Sequence, residues 1–296
     1  MSSVLINALI VLCIVAYTFQ SFFSKLYSIS YTGNSQAATP VFSILYGLIV
    51  GFITLTAVAG FQFSASLTTW LFGIANGLVL FLFNLSTVNA SRTGPYTLQS
   101  LLTYSGCVLI PLVFSTLFWH DQIYWYQFLG VVVMLIAFAV INLQNTTFVI
   151  KRKSYFLWIA LLFLSNGLYG VMMDAQQRVM QQTQRNEMII ITFFASSLIS
   201  LVYLFATQKK QSLQVFSMGK KVWLYILLSS LSAATGVYTM MVLLGNMTAS
   251  IFYTIENGAV LALTILLGHF ALKEQLTKRM IFGIALSIVS LILLAM

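Results

Sequence analysis

The sequence predicts an all-α membrane protein with ten transmembrane helices in two inverted five-helix repeats. Three observations predict it: a composition that cannot build a water-facing surface, ten apolar runs long enough to cross a bilayer, and an echo between the two halves of the chain.

Of the 296 residues, 60% are hydrophobic and 6% are charged. A soluble domain carries roughly 25% charged residues. A bilayer span needs about 20 mostly apolar residues. Ten such runs lie at 4–24, 39–60, 68–88, 96–118, 124–143, 154–174, 187–207, 221–244, 249–271 and 279–295. They leave short connections and little room for an extramembrane domain, and their unbroken apolarity excludes an alternating β-barrel pattern. The first run lacks the basic start of a cleaved signal and reads as a permanent helix. Trp70, Trp119, Trp125, Trp158 and Trp223 all fall near run ends, where an indole has one apolar and one wet side.

The net charge of +9 is explained by short basic loops and not by nucleic-acid binding. Lys25, Arg92, Lys151, Arg152, Lys153, Lys209, Lys210, Lys220, Lys221, Lys273, Lys278 and Arg279 fall opposite the termini; only Arg178 and Arg185 share the termini's side. The positive-inside rule then places both termini outside. A multi-pass protein of the bacterial plasma membrane is expected, as a monomer or homodimer in the lipid bilayer.

The halves divide near residue 150. A shift of 153 residues lays Trp70-Leu71 on Trp223-Leu224, Asp121-Gln122 on Glu274-Gln275, and Gly130 on Gly283. The units expected are 1–148 and 149–296. Five helices per unit is an odd number, so the second unit enters the membrane from the opposite side. Inverted repeats of this kind underlie alternating access in many transporters.

The residues Arg92, Thr93, Gly94, Pro95 and Tyr96, then Pro111, Asp121-Gln122 and Gly130, resemble the fourth and fifth helices of EamA-like members of the drug/metabolite transporter superfamily. Ala249 to Gly283, with Glu274-Gln275 as the acidic turn, resembles the same stretch of the second repeat, and Ser24-Lys25 resembles the repeat's opening. The resemblance implies a ten-helix transporter with cytoplasmic termini, against the charge bias. Tyr46 stands where many members place an arginine, Thr264 stands at the second-half counterpart of the proline, and helix nine lacks a basic pair. These departures weigh against the phosphorylated sugars and nucleotide sugars that some relatives carry.

Polar groups in a lipid environment are costly and face the bundle interior. Glu256 is the sharpest of them, lying in the ninth run with no lysine or arginine beside it. A carboxylate there needs a partner, water or a bound cation, or else holds a proton; each state suits proton coupling or cation binding. Ser250, Tyr253, Asn257 and Thr264 form a polar stripe with it at helical spacing. Its counterpart in the first half is Thr103, beside Thr97, Ser100, Tyr104, Cys107, Pro111 and Ser115. Tyr17 and Gln20 in the first helix, Asn76 and Asn84 in the third, and Asn166 in the sixth complete the expected substrate-binding set, because an amide has four hydrogen-bonding sites to satisfy. Asp174 reads as a solvated acid at its run's end, and Asp121 and Glu274 read as helix caps.

His120 and His269 are isolated, so no metal site is expected. Cys13 and Cys107 read as small packing residues. There is no phosphate-binding glycine loop or Walker lysine, and no cofactor or enzymatic constellation. The expectation is a secondary transporter of a small neutral or cationic solute, with Glu256 as the coupling-ion site. A lipid-linked head-group flippase, or a non-transporting membrane enzyme or scaffold, is the alternative.

Overall fold

The computed structural model describes all residues except 1, 33–36, 94–95, 143–152, 209–215, 217, 273–275 and 296. Among them run ten α-helices: α1 (Ser3–Ser30), α2 (Ala38–Ile53), α3 (Leu67–Thr93), α4 (Tyr96–Phe118), α5 (Trp125–Asn142), α6 (Tyr155–Val179), α7 (Arg185–Gln208), α8 (Lys220–Leu244), α9 (Ala249–Leu272) and α10 (Lys278–Ala295). Eight of these, all but α5 and α10, contain stretches long and apolar enough to cross a membrane. In hydrocarbon each backbone polar group must be satisfied within the segment, so unbroken apolar runs become helices.

Three helices run on well past the runs read in the sequence. α1 continues past residue 24 to Ser30, α3 past residue 88 to Thr93, and α6 past residue 174 to Val179. In α6 the apolar run stops at a charge, but the helix does not, because Asp174 and Arg178 lie one turn apart and pair. α2 passes into a π turn, Thr54–Val58, before a turn in which Gly60 and Phe61 take φ of 56° and 64°. Within α4, Pro111 removes the N–H that would bond the Cys107 carbonyl.

Contacts between helices are made by glycine, serine and small side chains, as expected where burial of apolar surface does not drive association. Between α4 and α6, a Cβ on Gly106 would meet the Phe163 carbonyl oxygen at 2.5 Å, and one on Gly167 would meet the Gly106 oxygen at 2.5 Å. α1 and α8 are joined by Ser24 and Ser229, 2.9 Å apart, and by Cys13 donating to the Gly236 carbonyl. Ser197 on α7 donates to the Ile44 carbonyl on α2, and Ser290 on α10 to the Gly130 carbonyl on α5.

The neighbour relations are conserved when the first five helices are exchanged for the last five. α1 packs on α8 as α6 packs on α3, α1 on α9 as α6 on α4, and α2 on α8 as α7 on α3. α2 with α7, α4 with α9 and α5 with α10 pair across the exchange. One end of the bundle carries the chain termini together with the turns α2–α3, α4–α5, α6–α7 and α8–α9; the other carries the basic loops. Of the motif residues, Gly94, Pro95, Glu274 and Gln275 and the cations Lys151, Arg152, Lys209, Lys210 and Lys273 lie outside the described residues, as do the side chains of Arg92, Tyr96, Thr97 and Ser100.

Candidate functional site

A cavity of about 340 Å³ lies in the middle of the bundle. Four helices supply its polar wall at helical spacing: Tyr17, Gln20 and Ser21 on α1; Thr103, Tyr104 and Cys107 on α4; Asn166, Tyr169 and Gly170 on α6; Tyr253, Glu256, Asn257 and Val260 on α9. Residues three and four apart share a face of a helix, so each helix turns one short stripe inward. Tyr46 of α2, Leu80 and Phe83 of α3, Phe193 of α7, and Val237 and Met240 of α8 complete the wall.

Two of the glycines make room for aromatic rings. A Cβ on Gly170 would meet the Tyr253 ring at 2.8 Å, and one on Gly236 would meet the Tyr17 ring at 3.1 Å. The Tyr253 hydroxyl donates to the Gly170 carbonyl at 3.2 Å. The Tyr17 hydroxyl lies 3.4 Å from the Met240 sulfur. Asn166 donates to the Thr103 carbonyl at 2.7 Å, which joins α6 to α4 at the wall. Asn257 donates to both the Tyr253 carbonyl, at 2.8 Å, and a Glu256 carboxyl oxygen, at 2.6 Å. Glu256 is 8% exposed, and among the described residues no lysine or arginine lines the cavity or pairs with it.

The cavity thus gathers Tyr17, Gln20, Thr103, Tyr104, Asn166, Tyr253, Glu256 and Asn257. It does not gather Asn76 or Asn84. Asn76 lies one turn along α3 from Leu80, fully buried, with both amide atoms lacking a hydrogen-bond partner. Asn84 is turned instead toward α2 and α7, in a small cleft with Thr39, Ser43, Ser200 and Tyr203. The stripe on α9 is split as well. Ser250 and Thr264 have buried, unpartnered hydroxyls away from the cavity, because a stripe of fourteen residues winds beyond the cavity's reach.

Tyr46, Tyr169, Phe193 and Met240 were not legible as site residues. Tyr169 had a signal in its spacing from Asn166. Phe193 and Met240 look like any core residue in sequence. Two acids also differ from their sequence readings. Asp174 is 2% exposed and holds Arg178 through both carboxyl oxygens, at 3.0 and 3.1 Å. Asp121 does not cap α5, which begins at Trp125; it too binds Arg178, at 2.7 and 3.1 Å.

Packing is uneven along the bundle. On the side of the termini, one core cluster joins α1, α2, α6, α7, α8 and α9 through residues such as Met173, Met188, Met241, Leu244 and Phe252. Toward the basic loops, Tyr27 with Ile226, Val41 with Leu204, and Ala90 with Tyr155 belong to separate clusters. Toward the termini the cavity therefore rests on a continuous apolar floor, and toward the basic loops it is bordered, among the described residues, by smaller separate clusters.

The sequence model of the EamA-like transporter family matches residues 153–296. The match spans the second half of the chain, which is thereby similar to the drug/metabolite transporter superfamily that this family belongs to. A solved structure described as "Crystal structure of protein" aligns with 99% of this EamA-like chain and 96% of its own, with a TM-score of 0.81 and 15% identity. At that identity the likeness is one of fold. No curated protein matches the chain.

Proposed function

We propose that this EamA-like protein is a secondary transporter of small organic cations or amines, moving them by alternating access between its two five-helix units, 1–148 and 149–296. One observation carries the reading: the central cavity holds a single carboxyl group, Glu256, with no cationic side chain among its described lining residues. Tyr17, Tyr46, Tyr104, Tyr169 and Tyr253 surround it. Ring faces attract a desolvated cation, by up to about 2 kcal/mol each. A phosphate ester would meet a carboxylate and no cation. The exchange symmetry of helix neighbours supports a two-unit mechanism, in which each unit takes the other's conformation.

The test is flux through purified protein in proteoliposomes. An aromatic amine, a tetraalkylammonium ion, a zwitterionic amino acid and a sugar phosphate are offered in turn, with and without a proton gradient. Saturable flux of the cations, driven by the gradient, is the expected result. Flux of the sugar phosphate alone would sink the reading. The head-group flippase reading draws on an apolar groove of about 640 Å³ flanking α2, α3 and α7, lined by Leu55, Phe63, Trp70, Ile74 and Phe194. That groove shares no residue with the cavity, so the soluble cation is the better fit.

The charge bias favours termini outside the cell and the basic loops in the cytoplasm. A phosphatase fused after Met296 is then active only in a non-cytoplasmic compartment, and a fluorescent protein that matures in the cytoplasm stays dark there. A bright cytoplasmic reporter reverses the orientation.

A further inference from the structure

We propose that Arg178, clamped by Asp121 and Asp174, is the latch that closes the cavity on the side of the chain termini, and that its release opens the cavity there. The proposal rests on the transport reading for its purpose, but its test does not require a substrate.

The geometry is that of a strap between the halves. Arg178 and Asp174 belong to α6, in the second unit, and Asp121 to the α4–α5 turn, in the first. The two Nη groups of the guanidinium donate one to each Asp121 carboxyl oxygen, its single Nε–H is shared between the two oxygens of Asp174, and its carbon sits 5.4 Å from the Trp119 ring centre. The planar fork of arginine suits the bidentate Asp121 carboxylate and leaves the Nε–H for Asp174. Asp174 lies one turn from Gly170, whose carbonyl holds the cavity residue Tyr253. The strap therefore spans from the cavity floor to the bundle end. Further bonds cross the same end: Gln182 donates to the Gly245 carbonyl, and the Ser66 amide to Gln184 at 2.9 Å.

Two independent features mark this end as built to move. The first is backbone strain. Among the described residues, Phe61, His120, Gln181, Gln182 and Gln184 take positive φ between 49° and 64°, and all five lie in turns on the termini's side. Such residues each cost about 1–3 kcal/mol and persist only where their surroundings hold them. The second is unmet hydrogen bonding. Asn76, Trp119, Gln177, Arg185, Asn186 and Ser250 each bury at least one polar atom without a partner in the half of the bundle nearer the termini, against Ser200 and Thr264 in the other half. A buried polar group without a partner is costly, and water would satisfy it if this end opened. Closure is therefore opposed by strain and desolvation and held by the latch and the apolar floor.

The test reads which side reaches the cavity. Cys13 and Cys107 are replaced by serine, and Ser21→Cys puts a reporter thiol on the cavity wall. Membrane-impermeant thiol reagent is applied from each side of oriented vesicles. With Arg178 present, the reporter is expected to react from the side of the basic loops. Arg178→Gln should raise its reaction rate from the side of the termini roughly tenfold or more, and Asp121→Asn, which keeps the Asp174 partner, by a smaller factor in the same direction. The double variant should match Arg178→Gln alone if the two act as one latch. Unchanged sidedness in Arg178→Gln protein that elutes as a single folded species overturns the proposal. Should that variant fail to fold, unchanged sidedness in Asp121→Asn overturns it equally. A shift in sidedness with no flux of any cation would leave the latch standing and remove the transport reading.

Discussion

Replacing Glu256 with glutamine abolishes transport of an organic cation while leaving the protein folded. The fold survives because glutamine keeps an oxygen to accept the 2.6 Å hydrogen bond from Asn257 and has nearly the same volume. Transport does not, because the substitution removes the one carboxyl group lining the cavity. A cation about 4 Å from a carboxylate gains on the order of 4 kcal/mol at an effective dielectric near 20. Desolvation of both groups offsets part of this. Even half of it, at about 1.4 kcal/mol per factor of ten, is a loss of roughly thirtyfold in affinity. The measurement compares cation uptake and binding by the two proteins in proteoliposomes, over a range of pH, with thermal unfolding as the control for folding. An unchanged rate together with an unchanged pH dependence would take Glu256 out of the mechanism.

Gly167→Ala is expected to be the most damaging single-methyl change in the chain. Its Cβ would fall 2.5 Å from the Gly106 carbonyl oxygen and closer still to Ile110. Side chains can turn away from an added methyl, but a helix backbone can only translate. α4 and α6 must then separate, at a cost of about 1–3 kcal/mol for overpacking. The same movement stretches the 2.7 Å bond from Asn166 to the Thr103 carbonyl, two residues that line the cavity. A lower unfolding temperature in detergent and a weakened affinity should appear together. Gly219→Ala is the control, since a Cβ there meets nothing within 4 Å. Equal stability of the two variants would show that the α4–α6 contact is not set by Gly106 and Gly167.

Much of the fold was legible because lipid imposes one strong constraint. Backbone groups cannot go unsatisfied in hydrocarbon, so each apolar run had to be a helix, and the run limits fell close to the helix limits. The misreadings came where that constraint relaxes. α6 carries Asp174 and Arg178 into the bundle because each neutralises the other, a pairing that a hydropathy reading treats as an exit to water. Asp121 looked like a cap because acids in turns commonly are caps; its partner is 57 residues away in sequence.

The candidate site followed the same division. Tyr17, Gln20, Thr103, Tyr104, Asn166, Tyr253, Glu256 and Asn257 were found because polar groups are rare and costly in such a chain. Asn76 and Asn84 met the same criterion and lie elsewhere, since rarity marks a polar residue without giving the direction in which it faces. Phe193 and Met240 carry no such mark, and only the packing of α7 and α8 places them at the cavity.

The sequence by itself determined the class, the helices and the presence of an acid, Glu256, within the ninth of them, because composition and period act locally along the chain. The tertiary structure decided which polar residues share a cavity, that Glu256 has no cationic neighbour among the described residues, and that Arg178 is held by two acids from different halves. Those are relations between helices. They depend on the rotation and separation of each helix about its neighbours, which small residues such as Gly106 and Gly167 set through contacts far apart in sequence.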